Sequence, residues 1–141
     1  MLAIHGLNSS PSDSDFLIQP TLELLPLPPS EEPLVDNPLV DVELDHGSRV
    51  LIPTASGDLT HGGRSWNDPY FNGHSGPGWF DASYGIGFDS TDSGAVRPLI
   101  HSAGDIQTKM LGINPSALVR TEFTIDDPGS LNEMRLNLQY N

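Results

Sequence analysis

The strongest constraint on the fold is a strict alternation of apolar and polar side chains in two segments near the end of the sequence. In the segment 134–140 every second residue is apolar: Met134, Leu136, Leu138 and Tyr140. The segment 119–125 alternates in the same way, with Arg120, Glu122 and Thr124 on its polar face. A period of two indicates a half-buried β-strand, and turn-forming residues at 126–130 separate the two strands. The longest helix that the sequence favours is a short one around 105–111, so we predict an all-β fold.

The sequence divides into three zones. Residues 1–25 contain two short apolar runs on either side of a polar loop, and we predict that they pair as antiparallel strands. Residues 26–46 form an acidic, proline-rich linker, and the alternation at 40–45 predicts an edge strand at its end. Residues 47–141 begin with a short strand and continue through long loops rich in Gly and Asp before the two alternating strands.

The composition excludes several classes of function. The 141 residues include 19 acidic and 6 basic side chains, and a net charge of −13 repels phosphate backbones, so we expect no nucleic-acid binding. The absence of cysteine excludes disulfides and thiolate metal sites. No stretch approaches the ~20 apolar residues that cross a bilayer. The first residues lack the features of a signal peptide, and we expect a secreted or cell-surface protein whose signal lies upstream of this fragment.

Three patterns that could indicate chemistry each lack a required part. The segment 73–77 (Gly-His-Ser-Gly-Pro) resembles a nucleophile elbow, but proline stands at its fifth position and no helix follows. The segment 85–87 (Gly-Ile-Gly) lacks the third glycine and the helix of a phosphate-binding loop, and it fits a tight backbone passage better. The five histidines do not have the spacing of zinc ligands. We therefore predict that the chain is not an enzyme.

Six large aromatic side chains are concentrated between positions 66 and 84. Flat rings stack on sugar faces, but they also anchor the cores of β-sandwiches, and the sequence leaves both interpretations open. If a carbohydrate binds here, the candidate residues are Trp66, Trp79 and Tyr84.

Three aspartates near glycine-rich segments are candidate ligands of a structural calcium ion: Asp89, Asp92 and Asp105. Carboxylate oxygens are the ligands that Ca²⁺ prefers, although the spacing is not that of an EF-hand loop. Solvated loop carboxylates are the alternative, just as solubility is the alternative explanation of the overall acidity. We predict no other cofactor.

A series of short motifs follows a recognisable order along the chain. The first motifs are a Leu-Ile-Pro strand at 51–53, a Trp with an Asp-Pro-aromatic turn at 66–71 and a second Trp at 79. A Gly-Ile-Gly-aromatic-Asp step at 85–89 and a Met-x-Gly-Ile-Asn segment at 110–114 follow, and then a strand at 118–124 and an Asp-Asp-Pro turn at 125–128. This order resembles a module of very large surface proteins predicted in planctomycete-like bacteria, which often also carry lamin-tail domains and a spore-coat-H-like kinase domain. The segments 2–8 and 15–18 resemble the closing strands of the same module.

The resemblance implies an incomplete jelly-roll sandwich of the galactose-binding-like type. It assigns 1–25 to the closing strand pair of a preceding module and 47–141 to the first part of the next, truncated one. The expected function is a spacer or adhesion module in a multi-module surface protein, in contact with neighbouring modules. The alternative is a carbohydrate-binding module whose loop aromatics contact a polysaccharide. We expect docking of residues 1–25 onto the rest of the chain to be marginal.

Overall fold

The computed structural model describes residues 1–26, 40–42, 48–72, 76–91, 94–125 and 127–141. The strands among them are β1 (Leu2–Leu7), β2 (Asp15–Pro26), β3 (Val40–Val42), β4 (Ser48–Leu51), β5 (Thr60–His61), β6 (Arg64–Ser65), β7 (Phe80–Ala82), β8 (Ile86–Asp89), β9 (Ser116–Thr121) and β10 (Leu131–Tyr140). The described helical segments are short: α1 (Gln107–Met110) and the 3₁₀ turns Ser56–Leu59, Arg97–Leu99, Ser102–Gly104 and Pro128–Ser130. The predicted all-β fold is confirmed, and α1 lies within the predicted helical segment 105–111.

The strands form two main antiparallel sheets. The first sheet has the order β1-β9-β4-β7. The second is built around β2, whose twelve residues span about 40 Å and therefore reach several partners. β2 pairs with β10 along one edge and with β8 and β3 in succession along the other. A short ribbon of β5 and β6 lies outside both sheets.

The hydrophobic core lies between the two main sheets. Inward-facing side chains of β2 and β8 in the second sheet meet those of β4, β7 and β9 in the first, and two residues at α1 complete the cluster. Its buried members are Phe16, Ile18, Val50, Ile52, Ala82, Ile86, Phe88, Ile106, Met110, Ala117 and Val119. Each large apolar side chain buried in this way contributes about 1.5–3 kcal/mol to stability. The architecture is therefore that of a β-sandwich.

The two strands of the first zone do not pair with each other, so that prediction is wrong. β1 pairs along its whole length with β9 in the first sheet, whereas β2 is the central strand of the second. The loop between them crosses from one sheet to the other. An isolated two-stranded pair could not cover its own apolar faces, and the strands instead bury them on opposite sides of one core. Residues 1–25 thus dock onto the rest of the same chain.

The two alternating strands exist, but their limits and surroundings differ from the prediction. β9 ends at Thr121 rather than at 125, and it pairs with β1 and β4. The predicted half-buried state of β10 is wrong, because residues on both faces of this edge strand are exposed from 132 to 140. The apolar side chains of β10 are exposed by 54, 44, 40 and 75% at Met134, Leu136, Leu138 and Tyr140.

The predicted linker is described only in part. Residues 27–39 and 43–46 lie outside the described residues. At 40–42 the chain forms β3, which pairs with residues 22–24 of β2 at the end of the second sheet. An edge strand is what the alternation at 40–45 predicts, and this much of it is confirmed.

Gly85 and Gly87 lie where chain segments touch backbone to backbone. A Cβ atom at Gly87 would overlap the carbonyl of Phe16 in β2, and one at Gly85 would overlap the carbonyl of Leu99. The Gly87 carbonyl also accepts a hydrogen bond of 3.0 Å from the N–H of Ile106. The tight backbone passage predicted for 85–87 is confirmed.

Candidate functional site

A second hydrophobic cluster covers the outer face of the first sheet, on the side away from the core. We call it the outer cluster. Its members come from β4, from β9 and from the segment between β4 and β7, which includes β5 and β6 and which we call the long loop (described residues 52–72 and 76–79). They are Leu51, Leu59, Trp66, Phe71, Trp79 and Leu118. The ring centroids of Phe71 and Trp79 are 5.7 Å apart. Both faces of β9 are therefore buried, and much of the aromatic-rich loop lies on the sheet rather than in solvent.

Arg120 of β9 fastens this loop to the sheet. Its side chain is only 2% exposed. The guanidinium donates hydrogen bonds to the backbone carbonyls of Trp66, Asp68 and Pro69 at 3.0, 2.9 and 3.3 Å. It also lies 5.6 Å from the centre of the Phe71 ring, within the range of a cation–π contact. A single buried cation thus joins the backbone of the segment 66–69 to β9.

A recess opens beside the outer cluster, between β1, β9 and the start of the long loop. We call it the His5 recess; its volume is about 310 Å³, and it is lined by His5, Pro53, Thr54, Ala55, Ser56, Leu59, Ser116 and Leu118. Apolar side chains alternate there with hydroxyl groups and an imidazole. A concave surface with a few polar groups among apolar ones is the usual form of a small-ligand site, and this volume is at the lower end of the usual range.

His5 and Ser116 form the polar centre of the recess. The Nε2 atom of His5 and the Oγ atom of Ser116 are 2.7 Å apart. The ring of Trp66 meets the imidazole edge-on, with centroids 6.2 Å apart. An imidazole and a hydroxyl group can each donate or accept a hydrogen bond, so the pair suits a ligand that carries hydroxyl groups. Ser116 has no local sequence signal, because only the pairing of β1 with β9 brings it to His5.

Asp58 fixes the rim of the recess. Its carboxylate accepts hydrogen bonds from the N–H groups of Thr54 and Ala55 at 2.7 and 2.8 Å, and from the Thr54 hydroxyl at 3.1 Å. These bonds, above all the one from the Thr54 backbone, hold the pKa of the Asp58 carboxyl below its usual value. The carboxylate is therefore ionised at neutral pH and holds its own loop in shape.

The structure separates the three candidate sugar-binding aromatics. Trp79 is buried in the outer cluster. Tyr84 packs on the core side of the first sheet, where its hydroxyl is hydrogen-bonded to Thr121 and burial raises its pKa. Trp66 is half-buried and lies beside His5. Of the three, Trp66 is the one that contacts a residue lining the recess, His5, whereas Trp79 and Tyr84 are packing residues.

Tyr70 is an aromatic residue that the sequence does not distinguish from its neighbours. Its side chain is 78% exposed. The guanidinium of Arg64 lies 5.3 Å from the centre of its ring and forms an ion pair of 3.2 Å with Asp68. The Arg64 guanidinium therefore covers one face of the Tyr70 ring.

Of the three candidate calcium ligands, Asp92 lies outside the described residues. Asp89 is buried, and its carboxylate accepts hydrogen bonds from the N–H and hydroxyl groups of Thr91 at 3.0 and 2.7 Å. Asp105 lies 3.6 Å from Arg97, which also donates to the backbone carbonyl of Asp89 at 3.4 Å. A guanidinium thus already neutralises Asp105. The described ranges contain no group of three His, Cys, Asp or Glu residues that could hold a metal ion, and the calcium site stays a prediction.

The chain matches no protein-family model, no curated protein and no solved structure. None of the helices among the described residues is long and apolar enough to cross a membrane. The sandwich and the geometry of its outer face are therefore the basis of the functional inference.

Proposed function

We propose that this chain is a non-catalytic module of a secreted or cell-surface protein, a sandwich of galactose-binding-like jelly-roll type that acts as a spacer or adhesion element. The observation that carries the proposal is the fixing of the long loop to the outer face of the first sheet. Trp79, Phe71 and Arg120 belong to the residue types that contact ligands when they lie on free loops, and here they hold the loop in place. A loop held in this way gives the rigidity that a spacer needs.

The charge of the chain supports the same proposal. A net charge of −13 keeps a protein soluble and makes neighbouring acidic modules repel one another. A polypeptide built from such modules stays extended, which suits an element that holds other parts of a surface protein apart. The absence of cysteine means that the fold does not depend on the redox state of its compartment.

Limited proteolysis under native conditions tests the rigidity of the loop. We expect the wild-type chain to resist cleavage between residues 54 and 72, and we expect Arg120→Met to be cleaved there while its circular dichroism spectrum still shows β-structure. Rapid cleavage of this segment in the wild-type chain would contradict the proposed rigidity. Turnover of glycoside, ester or peptide substrates by the purified chain would contradict its non-catalytic role.

A second candidate function is carbohydrate binding at the His5 recess. The observation that favours it is the contact of the half-buried Trp66 ring with the imidazole of His5, which lines the recess together with hydroxyl groups. If a polysaccharide binds there, Trp66→Ala is expected to weaken binding by about tenfold, the effect of losing about 1.5 kcal/mol of aromatic contact. Tyr70→Ala, at an exposed ring outside the recess, is the matched control and should leave binding unchanged. If no polysaccharide binds the wild-type chain, this candidate is excluded and the spacer remains.

A further inference from the structure

The edge strand β10 exposes a row of apolar side chains that belongs to the inner face of its sheet. Met134, Leu136, Leu138 and Tyr140 lie opposite Leu24, Leu22, Pro20 and Ile18 of β2. Residues directly opposite each other in an antiparallel pair share a face, so both rows face inward. The β2 row is buried, whereas the β10 row is 40–75% exposed. The edge strand therefore presents apolar surface that the rest of the described chain does not cover.

The neighbourhood of β10 extends this apolar surface. A groove of about 230 Å³ opens between the two sheets, lined by residues of β1, β2 and β10. Leu7 of β1 is exposed at its mouth. Five of the eight large apolar side chains that are exposed among the described residues belong to β10 or to Leu7, so the exposed apolar surface is concentrated on this side of the sandwich. β10 also contains neither lysine nor proline, the residues that usually prevent edge strands from pairing with other chains.

The charge of β10 points to a second copy of the chain as the occupant. The strand carries one acidic and one basic side chain, Glu133 and Arg135, which cancel. The whole chain has a charge of −13, so two copies repel each other over most of their surfaces, and a neutral strand is where they can approach. Arg135 is also balanced within its own copy, by Glu133 at 3.0 Å and by Glu23 at 3.8 Å. A charged partner is therefore not required.

The sequence of β10 also fits itself in the antiparallel direction. When Leu136 lies on a two-fold axis, the inner-side residues Met134, Leu136 and Leu138 face apolar residues, and no like charges face each other on the outer side. The facing pairs are then Leu136 with Leu136, Met134 with Leu138, Arg135 with Asn137, Glu133 with Gln139 and, at the two ends, Asn132 with Tyr140. This register pairs residues 132–140 of the two copies, a contact about 30 Å long.

We propose that β10 pairs antiparallel with β10 of a second copy of this chain, which makes the second sheet continuous across a two-fold dimer. The main-chain groups along the outer edge of β10 gain hydrogen-bond partners, and the protruding apolar side chains of the two copies pack against each other. The dimer does not depend on the proposed spacer function, because it rests on the edge strand alone.

Measurement of the molecular mass by analytical ultracentrifugation tests the dimer. The wild-type chain of 15.2 kDa is expected to reach twice this mass as its concentration rises. Leu136→Lys places two ammonium groups face to face on the axis and is expected to remain monomeric. Thr108→Lys makes the same change of charge on the exposed surface of α1 and is expected to dimerise like the wild type. Leu136 is already partly exposed, so equal thermal unfolding of the two variants shows that neither has lost the fold.

Cysteine cross-linking tests the register, since the chain has no cysteine of its own. Leu136→Cys is expected to form a disulfide-linked dimer under mild oxidation, and Leu138→Cys and Thr108→Cys to do so much more slowly. A wild-type chain that stays monomeric up to its solubility limit would overturn the proposal. So would a dimer that persists in Leu136→Lys, or a monomer that binds an extended peptide at β10 instead of a second copy.

Discussion

Among single residues, Arg120 shows how a tertiary contact changes the meaning of a sequence pattern. The alternation at 119–125 assigns Arg120, together with Glu122 and Thr124, to the solvent face of a strand. In the structure the long loop covers this face at Arg120, whose guanidinium is buried against three carbonyl groups, while Glu122 and Thr124 stay exposed. Periodicity describes only the two faces of a strand, and it contains no information about a loop that folds back over one of them.

Arg120→Met tests this contact at the scale of the residue. Methionine keeps the length of the side chain but removes the donor to three backbone carbonyls. Among the described residues, the Asp68 carbonyl alone of the three keeps another donor, the N–H of Phe71. We expect the free energy of unfolding to fall by about 3 kcal/mol. Urea denaturation measures the change. Arg97→Met, at a half-exposed ion pair, is the control and should cost less than about 1 kcal/mol. Similar small losses in both variants would show that Arg120 does not hold the loop.

Thr91 and Asp89 give a prediction about pH. The Thr91 hydroxyl, followed by its N–H group, is the main reason why the pKa of the Asp89 carboxyl lies below its usual value. A carboxyl whose pKa is depressed by folding adds stability above its unfolded-state pKa of about 4, and this stability is lost as the pH falls through the lower folded-state value. Thr91→Val should therefore lower Tm at neutral pH, and the difference from the wild type should shrink as the pH falls below about 4. A difference in Tm that stays constant down to strongly acidic pH would contradict this assignment.

Among the structural elements, the alternation of apolar and polar residues predicted where strands occur better than it predicted which strands pair with each other. The pattern at 134–140 correctly predicts β10, but whether its apolar face is buried depends on how far the opposite sheet extends. The pairing of β1 with β9 joins residues more than a hundred positions apart, so His5 and Ser116 meet without any local signal. The burial of Trp79 likewise depends on where the long loop packs. The close passage at 85–87 could be predicted, because glycines in a strand pattern mark a close backbone approach, although the sequence does not indicate that Phe16 and Leu99 are the residues approached.

Gly87→Ala tests the contact between β2 and β8. The added methyl group would overlap the backbone carbonyl of Phe16, which cannot move without breaking the strand pair, and we expect a loss of about 2 kcal/mol or more. Gly57→Ala is the matched control, since a Cβ there meets open space, and its effect should stay within about 0.5 kcal/mol. Thermal unfolding followed by circular dichroism compares the two. Equal effects at both positions would mean that strands β2 and β8 are less closely packed than described.

For the whole molecule, the first zone and the third zone form one sandwich. β1 is the edge strand of the first sheet, beside β9, and β2 is the central strand of the second. The core therefore contains side chains from both zones, with Phe16 and Ile18 packed among residues of β4, β8 and β9. Stability should consequently be a property of the chain as a unit rather than of its separate zones.

Strand complementation tests this unity. A chain that lacks residues 1–8 exposes the edge of β9 and should unfold at a lower temperature than the full chain. A synthetic peptide of residues 1–8, added in excess, should restore part of the lost Tm by binding to the vacant edge. The same peptide with Ile4→Asp places a charge toward the core and should have no effect. An unchanged Tm after the deletion would show that β1 contributes nothing to the fold.

The pairing of β1 with β9 also governs the order of events during protein synthesis. β1 leaves the ribosome before β9, and this partner is made roughly 110 residues later, about 10 s at ordinary rates of translation. β2 finds β8 earlier, because fewer residues separate them. Until residues 116–121 have been made, β1 thus has no partner in the first sheet. The sandwich can close on that side only when translation of these residues is nearly complete.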